Sequence, residues 1–378
     1  MKQYELYENR LFGRYVSNEH IEPIIETLPA SVNVEKAGSS VRKKSIYTLT
    51  FGTGTKRILM WSQMHGNEST CTKAVFDVLK LLQVDAEQLD VVLLNCTICV
   101  IPILNPDGAE MYTRLNANKV DLNRDAQKLS QPESLVLKRV FEEFKPHYCF
   151  NLHGQRTIFS AGYSNLSSVM SFLSPAESPQ RAVTQTRKIA MEVILAIHSA
   201  LKTELPNQIS RYDDGFNANC VGDAFQMLGV PTILFEAGHY PGDYNREVTR
   251  KLMFKALLEA FTAIATTDFE GDDYQDYFKL PENRKLFFDV LIRNVKNSKE
   301  ELVDIAIQYE EVLESSKVMF KPKIERIGDL SEYFGHHEID GENNHILINN
   351  SNKIDETLSI IKELSINNVD FISKITIN

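Results

Sequence analysis

The chain has 378 residues, long enough for one large domain or for a main domain with an appendage. A formal charge of −10 argues against nucleic acid or anionic membrane as a partner, and 43% hydrophobic with 24% charged residues is the balance of a globular protein. No uncharged apolar run reaches the ~20 residues that span a bilayer, and the stretch from Met1 to Arg10 lacks the apolar core of a signal peptide. Five cysteines, an odd number in apolar surroundings, read as reduced thiols, so a cytoplasmic location is expected.

In chain order, the periodicity predicts a short helix around Glu19 to Leu28 and a strand around Ser45 to Phe51. Arg57–Met64 reads as a strand and Thr72–Leu82 as a helix, with His65-Gly66-Asn67-Glu68 at the turn between them. Val91–Leu104 reads as a buried strand running into Asn105-Pro106-Asp107-Gly108. Cys96 and Cys99 fall within that run and should point to opposite faces, as core residues rather than a metal pair. The polar stretch from Asn105 to Gln131 is too long for an ordinary connection, which favours a functional loop. A helix at Pro132–Phe144 and a strand at His147–Leu152 follow, the strand ending at His153. Helices at Ala182–Leu201 and Val221–Leu228, a strand at Thr232–Glu236 and a helix at Asn245–Ala265 complete the alternation. Such alternation implies an α/β fold with a mixed, largely parallel central sheet and helices on both faces.

The acidic run Asp268 to Asp273 marks the expected boundary, giving a catalytic domain of residues 1–268 and a small α+β domain of residues 269–378. Residues 303–312 fit either a helical face or an alternating strand, and the second alternation at Val318, Phe320, Pro322 and Ile324 favours a β-hairpin turning at Glu314 to Lys317. His345–Asn349 reads as another strand and Glu356–Leu364 as a helix.

In an open α/β sheet the ligand site lies outside the carboxyl ends of the strands. Four expected strand ends carry chemistry: His65 with Glu68, Asn105 with Asp107, His153, and Glu236. A His₂Glu set is one of the donor sets of catalytic zinc, and His65, Glu68 and His153 supply it. Zinc there would lower the pKa of water and polarise a carbonyl. A second carboxylate outside the donor set, Glu236, is placed to take a proton from water and deliver it to the leaving nitrogen. In the stretch Arg114 to Arg124, one arginine is suited to a bidentate grip on a carboxylate and the other to an oxyanion.

These residues, in this order, resemble the zinc metallocarboxypeptidases of the carboxypeptidase A/B and N/E types. The motifs are His65-x-x-Glu68, Asn105-Pro106-Asp107-Gly108, Arg114, Asp121-Leu122-Asn123-Arg124, His153 and Glu236, and the spacing from Arg114 to Asn123 is closest to the N/E branch and related bacterial enzymes. The resemblance covers roughly residues 40 to 265. It implies a carboxypeptidase-like fold holding one zinc ion per chain, bound by His65, Glu68 and His153, with Glu236 as general base and acid. It further implies that Arg114 polarises the scissile carbonyl, that Asn123 and Arg124 receive the substrate's terminal carboxylate, and that Asp121 fixes the imidazole of His65. The family's loop tyrosine has two candidates, Tyr212 as a substrate-binding residue or Phe216 without a hydroxyl. Gly222 stands at the family's pocket position, Asn151 replaces an aspartate two residues before the third ligand, and His239 reads either as a loop histidine or as one that reaches the cleft. The expected activity is removal of C-terminal residues from peptides, metal-activated water attacking the scissile carbonyl. The alternative is a zinc-dependent N-acyl-amino-acid hydrolase of the aspartoacylase and succinylglutamate desuccinylase kind, which shares His-Gly-Asn-Glu and Asp-Leu-Asn-Arg. Either substrate carries a free carboxylate.

Overall fold

The computed structural model describes residues 7–352 and 360–377 and divides the chain into two compact units. The first comprises the chain up to Gln155 together with Ser168–Asn283; the second comprises Arg156–Ser167 and Arg284–Asn378.

The first unit opens with α1 (Asn18–Ile25), β1 (Asn33–Ser39), β2 (Ser45–Phe51) and β3 (Lys56–Ser62), then α2 (Thr70–Val84), α3 (Asp90–Asn95) and β4 (Cys96–Ile101). It continues through α4 (Pro106–Met111), α5 (Pro132–Phe144) and β5 (Tyr148–Gly154). After β6 (Phe159–Ala161), which belongs to the second unit, come β7 (Met170–Leu173), α6 (Gln185–Leu201), β8 (Ile209–Arg211), α7 (Val221–Met227), β9 (Thr232–Ala237) and α8 (Glu247–Thr266). Eight strands form one sheet in the order β1-β2-β4-β3-β5-β9-β7-β8. Its centre, β4-β3-β5-β9, is parallel, as is β7-β8, whereas β1-β2, β2-β4 and β9-β7 are antiparallel. The expected mixed, largely parallel sheet is what the chain forms.

Strands covered on both faces read as continuous apolar runs, and β3 shows how one run serves two cores. Ile58 and Met60 pack with residues of α2, α6 and α8, while Leu59 and Trp61 pack with Val136, Leu137, Val140 and Phe141 of α5 and with Val221 and Phe225 of α7. Cys96 falls in the first cluster and Cys99 in the second, so the two thiols point to opposite faces as the strand period requires. The apolar run Val91–Leu104 is not one strand, however. Its first part is α3, with Val91 50% and Leu94 73% exposed, and only Cys96–Ile101 joins the sheet. A short apolar run does not reveal from its period that half of it faces water.

The boundary expected at residue 268 is displaced. Tyr277 and Leu280 lie in the core of the first unit, and Phe269 and Tyr274 pack against it. The acidic run is a loop within that unit, its Gly271 and Asp273 N–H groups donating to the Glu192 carboxylate at 2.8 and 2.7 Å.

The second unit contains β6, β10 (Asn283–Lys285), β11 (Phe287–Lys296), β12 (Leu302–Glu314), β13 (Lys317–Gly328), β14 (Phe334–Asp340), β15 (Ile346–Ile348), β16 (Leu364–Ile366) and β17 (Val369–Asp370). The expected hairpin is β12-β13, turning at Ser315 and Ser316, both at positive φ. It forms one side of a four-stranded sheet, β13-β12-β11-β14, beside a three-stranded β15-β16-β17. Of the helix expected at Glu356–Leu364, residues 356–359 lie outside the described residues, residues 360–363 are irregular, and Leu364 begins β16. Among the described residues this unit is therefore β with one short 3₁₀ turn, Ile372–Lys374, and no α-helix. Buried Asp289 accepts from the Tyr309 N–H and the Gln308 amide, and the same amide reaches the Thr157 hydroxyl at 2.6 Å, which ties the inserted segment to β11 and β12. No described helix is long and apolar enough to cross a membrane.

Candidate active site

Three parallel strand ends meet in the first unit. The chain leaves β3 through Gln63, held at a positive φ of 44° by bonds from its side-chain amide to the Val16 and Gly66 carbonyls. Gly66 then passes against the start of α4 so closely that a Cβ would lie 2.0 Å from the Gly108 carbonyl carbon, so only glycine fits. This contact aims His65 and Glu68 across the carboxyl end of β5, where His153 emerges. Cys71, in the first turn of α2, donates to the His153 carbonyl at 3.2 Å and fixes that strand end from below.

His65 Nδ1 lies 2.8 Å from Glu68 Oε1 and 3.1 Å from His153 Nδ1, and His153 Nδ1 lies 2.8 Å from Glu68 Oε2. Among the described residues this is the one group of three His, Cys, Asp or Glu side chains that could hold a metal, its ligand atoms all within 4.8 Å of one another. Tetrahedral ligands ~2.1 Å from zinc stand ~3.4 Å apart, so the trio is spaced for that ion with a small outward adjustment. The charges agree. Burial works against the charged form of His65, but Glu68 and Asp121 outweigh it and push its pKa up to about 9. Burial likewise opposes ionisation of Glu68, and the two imidazoles hold its carboxyl well below the usual range. A cluster that binds a proton this firmly is one that favours a cation. The donor set fits zinc.

The loop between α4 and α5 supplies the next groups. Asp121 accepts from His65 Nε2 at 3.0 Å, from the Asn123 N–H at 2.9 Å and from Arg114 Nε at 3.1 Å. It thereby starts the 3₁₀ turn Leu122–Arg124 and fixes the imidazole of His65 at once. Arg114 also reaches Glu68 at 3.5 Å with its side chain 47% exposed, so it stands at the mouth of the trio. The Asn123 side-chain oxygen accepts the Val221 N–H at 3.0 Å, which turns its amide donors the other way. Arg124, exposed, donates to the Asn123 carbonyl at 2.6 Å and to Cys220 Sγ at 3.1 Å, acceptors that leave its charge uncompensated.

Tyr212 lies near enough to this cluster to feel its charges. Its N–H donates to the Phe172 carbonyl at 2.8 Å, extending β8, and its phenol is pushed well above the usual range by burial and then by the charges of Glu236 and Glu68. Glu236 is the register partner of His153 across β5 and β9, strands ~4.8 Å apart, and is 9% exposed. Burial, then the charge of Glu68, pushes its carboxyl well above the ordinary range, while His65 and Arg114 pull it back.

Asn105 and Asp107 do not join the site. Asn105 caps α4, accepting the Gly108 N–H at 2.9 Å and donating to the Met64 carbonyl at 3.2 Å. Asp107 accepts from the Ser40 hydroxyl at 2.8 Å and the Arg42 N–H at 2.9 Å. Both serve as the scaffold behind His65. Asn151 is buried beside Gly222, whose Cβ would meet its amide at 3.7 Å and Pro175 at 3.2 Å, so even a small side chain at the pocket position would press on the Pro175 ring. His239 is buried against the Tyr244 ring, centroids 4.6 Å apart. The sequence carries no signal for one further neighbour, Arg246, which a turn of positive φ returns to the base of Glu236.

The zinc carboxypeptidase family matches residues 18–227, more than half of the chain, and the protein belongs to that family of metallopeptidases. The match ends ahead of Glu236, whose place rests on the sheet register. Carboxypeptidase 2 of Trichophyton tonsurans is 30% identical over 115 residues, covering 30% of this chain and 20% of its own length. The corresponding protein of Trichophyton rubrum is 30% identical over 100 residues, 26% of this chain and 19% of its own. The chain thus spans about a fifth of these relatives. Among solved structures, the metallo-carboxypeptidase of Burkholderia cenocepacia superposes with a TM-score of 0.54 at 18% identity, over 66% of this chain and 69% of that one. Carboxypeptidase A of Helicoverpa armigera gives 0.50 at 17% identity, over 66% and 73%. These similarities are of fold.

Proposed function

We propose that the protein is a zinc-dependent exopeptidase that removes the C-terminal residue of peptides presenting a free carboxylate. His65, Glu68 and His153 hold one zinc ion, which supplies Lewis acidity toward the scissile carbonyl and acidifies water. Glu236 takes the proton from water and delivers it to the departing amine, a role suited to a buried carboxyl with raised proton affinity. Arg114, exposed beside Glu68, donates to the carbonyl oxygen as negative charge develops there. Asn123 and Arg124 grip the terminal carboxylate, and the Tyr212 hydroxyl lines the same space.

One observation carries this reading. Asp121, which fixes His65, begins the turn that ends in Asn123 and Arg124, so the carboxylate grip stands three residues from the support of the metal centre. A hydrolase so built measures its cut from a free carboxyl end. The Pseudomonas aeruginosa metallo-carboxypeptidase, similar in fold at TM-score 0.52, is complexed with (2-guanidinoethylmercapto)succinic acid, a ligand with carboxylates of the kind this pair would hold. A cytoplasmic setting belongs to the same proposal, on the odd number of cysteines, four of them buried.

The roles separate kinetically. Arg124→Ala should chiefly raise KM for free-carboxylate substrates, whereas Arg114→Ala should chiefly lower kcat, because its interaction strengthens in the transition state. Equal effects of both substitutions on KM alone would remove Arg114 from the chemistry.

A further inference from the structure

We infer that Arg246 is a positioning residue for Glu236: its guanidinium clamps the two strand ends that carry His153 and Glu236 and sets the carboxylate against the metal trio. The inference rests on the reading of Glu236 as general base and extends it to a residue outside the motifs.

Four observations converge on it. Arg246 is only 2% exposed although its side chain is among the longest and most polar available, and such burial requires dedicated partners. Its NH1 donates to the carbonyls of Ala237, at 2.8 Å, and Gly238, and its NH2 to the carbonyl of Gln155 at 3.0 Å. Those acceptors directly follow Glu236 on β9 and lie two residues beyond His153 on β5, so one planar fork spans both strand ends. Glu236 immediately precedes the first of these carbonyls, so the fork fixes the backbone from which its carboxylate projects.

The intervening chain is shaped for this return. A Cβ on Gly238 would lie 2.1 Å from the Ser168 carbonyl oxygen, so the segment after Glu236 threads a gap that only glycine passes. Gly242 takes a φ of 77°, and Asp243 caps α8 by accepting the N–H groups of Glu247, Val248 and Thr249 at 2.9, 2.8 and 3.1 Å. That cap leaves Arg246 in the left-handed region at φ 60°, unusual for a non-glycine residue at a helix start. Backbone strain and a buried charge are both accepted to bring one guanidinium to this place. Lysine would not replace it, because a point charge cannot reach three carbonyls with fixed donors.

The test is a double-substitution cycle in the full chain, with kcat, KM and zinc content measured for Glu236→Gln, Arg246→Gln, the combination of both, and Arg246→Lys. Arg246→Gln should lower kcat by roughly 10²-fold, the scale of a misplaced catalytic group, with KM and one zinc per chain retained. In the Glu236→Gln background the same substitution should change kcat by less than about 3-fold, because Arg246 acts through Glu236. Arg246→Lys should lose about 3- to 10-fold in kcat, again only when Glu236 is present, and it carries the test if Arg246→Gln loses its zinc or its fold. Wild-type kcat in both Arg246 variants, or an equal loss with and without Glu236, would overturn the assignment. Near-wild-type turnover of Glu236→Gln would instead show that the general-base reading itself had failed.

Discussion

Gly66 illustrates how little freedom the metal-binding turn has. An alanine there would drive its Cβ into the Gly108–Ala109 backbone, at 2.0 and 2.2 Å, and the backbone on which His65 stands would have to move. Gly66→Ala should cost at least about 2 kcal/mol in chemical unfolding and should lower zinc occupancy below that of wild type; unchanged occupancy would mean that the turn adjusts without the contact. Asp223 makes a second residue-scale test, through pH. Burial pushes its carboxyl up to about 6, against ~3.9 for an unfolded chain. The folded state therefore holds its proton more tightly, and this stabilisation is complete below pH ~4 and lost as pH rises through ~6. Asp223→Asn, which keeps an acceptor for the Asn217 N–H, should match wild type in unfolding free energy near pH 4 and exceed it near pH 7.5 by about 1–2 kcal/mol. A difference independent of pH would refute the assigned titration. The donors of the trio were legible in the sequence because spacing and strand ends restrict them. Asn105 and Asp107 were not, since the residue types that cap a helix or receive backbone N–H groups are also those of catalysis. Arg246 left no trace, because its part depends on one φ angle.

Among the elements, α2 and α8 are joined by a buried ion pair. Arg250 donates to Asp77 at 2.6 and 2.7 Å with the side chains 2% and 1% exposed, and the same guanidinium holds the Glu8 and Leu11 carbonyls. Asp77 also accepts the Glu8 N–H at 2.8 Å, so the pair fastens residues 8–11 to both helices. Removing one partner strands a charge in the core. Asp77→Ala should lower unfolding free energy by about 3–5 kcal/mol in a urea titration, and a loss under 1 kcal/mol would show that water reaches the pair. The helices α5, α6 and α8 were legible from their 3.6-residue period, since each buries one face, whereas α2 is buried on nearly every side. The run Val91–Leu104 was not, because α3 exposes Val91 and Leu94 and gives no amphipathic signature.

For the molecule as a whole, the chain crosses between its units at 155/156, 167/168 and 283/284, which no charged segment announces. The composition shift after residue 268 was visible, but the burial of Tyr277 and Leu280 in the first core was not, since a few apolar residues after a loop carry no address. A chain ending at residue 268 should therefore be poorly folded. A chain joining Gln155 to Ser168 through a short linker and ending at Asn283 should fold and bind zinc, as circular dichroism and metal analysis would report; the reverse ranking would restore the earlier boundary. The central claim, a zinc centre that measures its cut from a free carboxyl end, meets its most direct test in substrate pairs. With zinc-loaded protein, kcat/KM should be compared for a peptide with a free C-terminus, the same peptide amidated, and an N-acyl amino acid. The free peptide should be cut at least about 10²-fold faster than its amide, the loss expected when groups placed to bind a substrate's charge are left without it. Equal rates on peptide and amide, or activity confined to the N-acyl amino acid, would contradict the account.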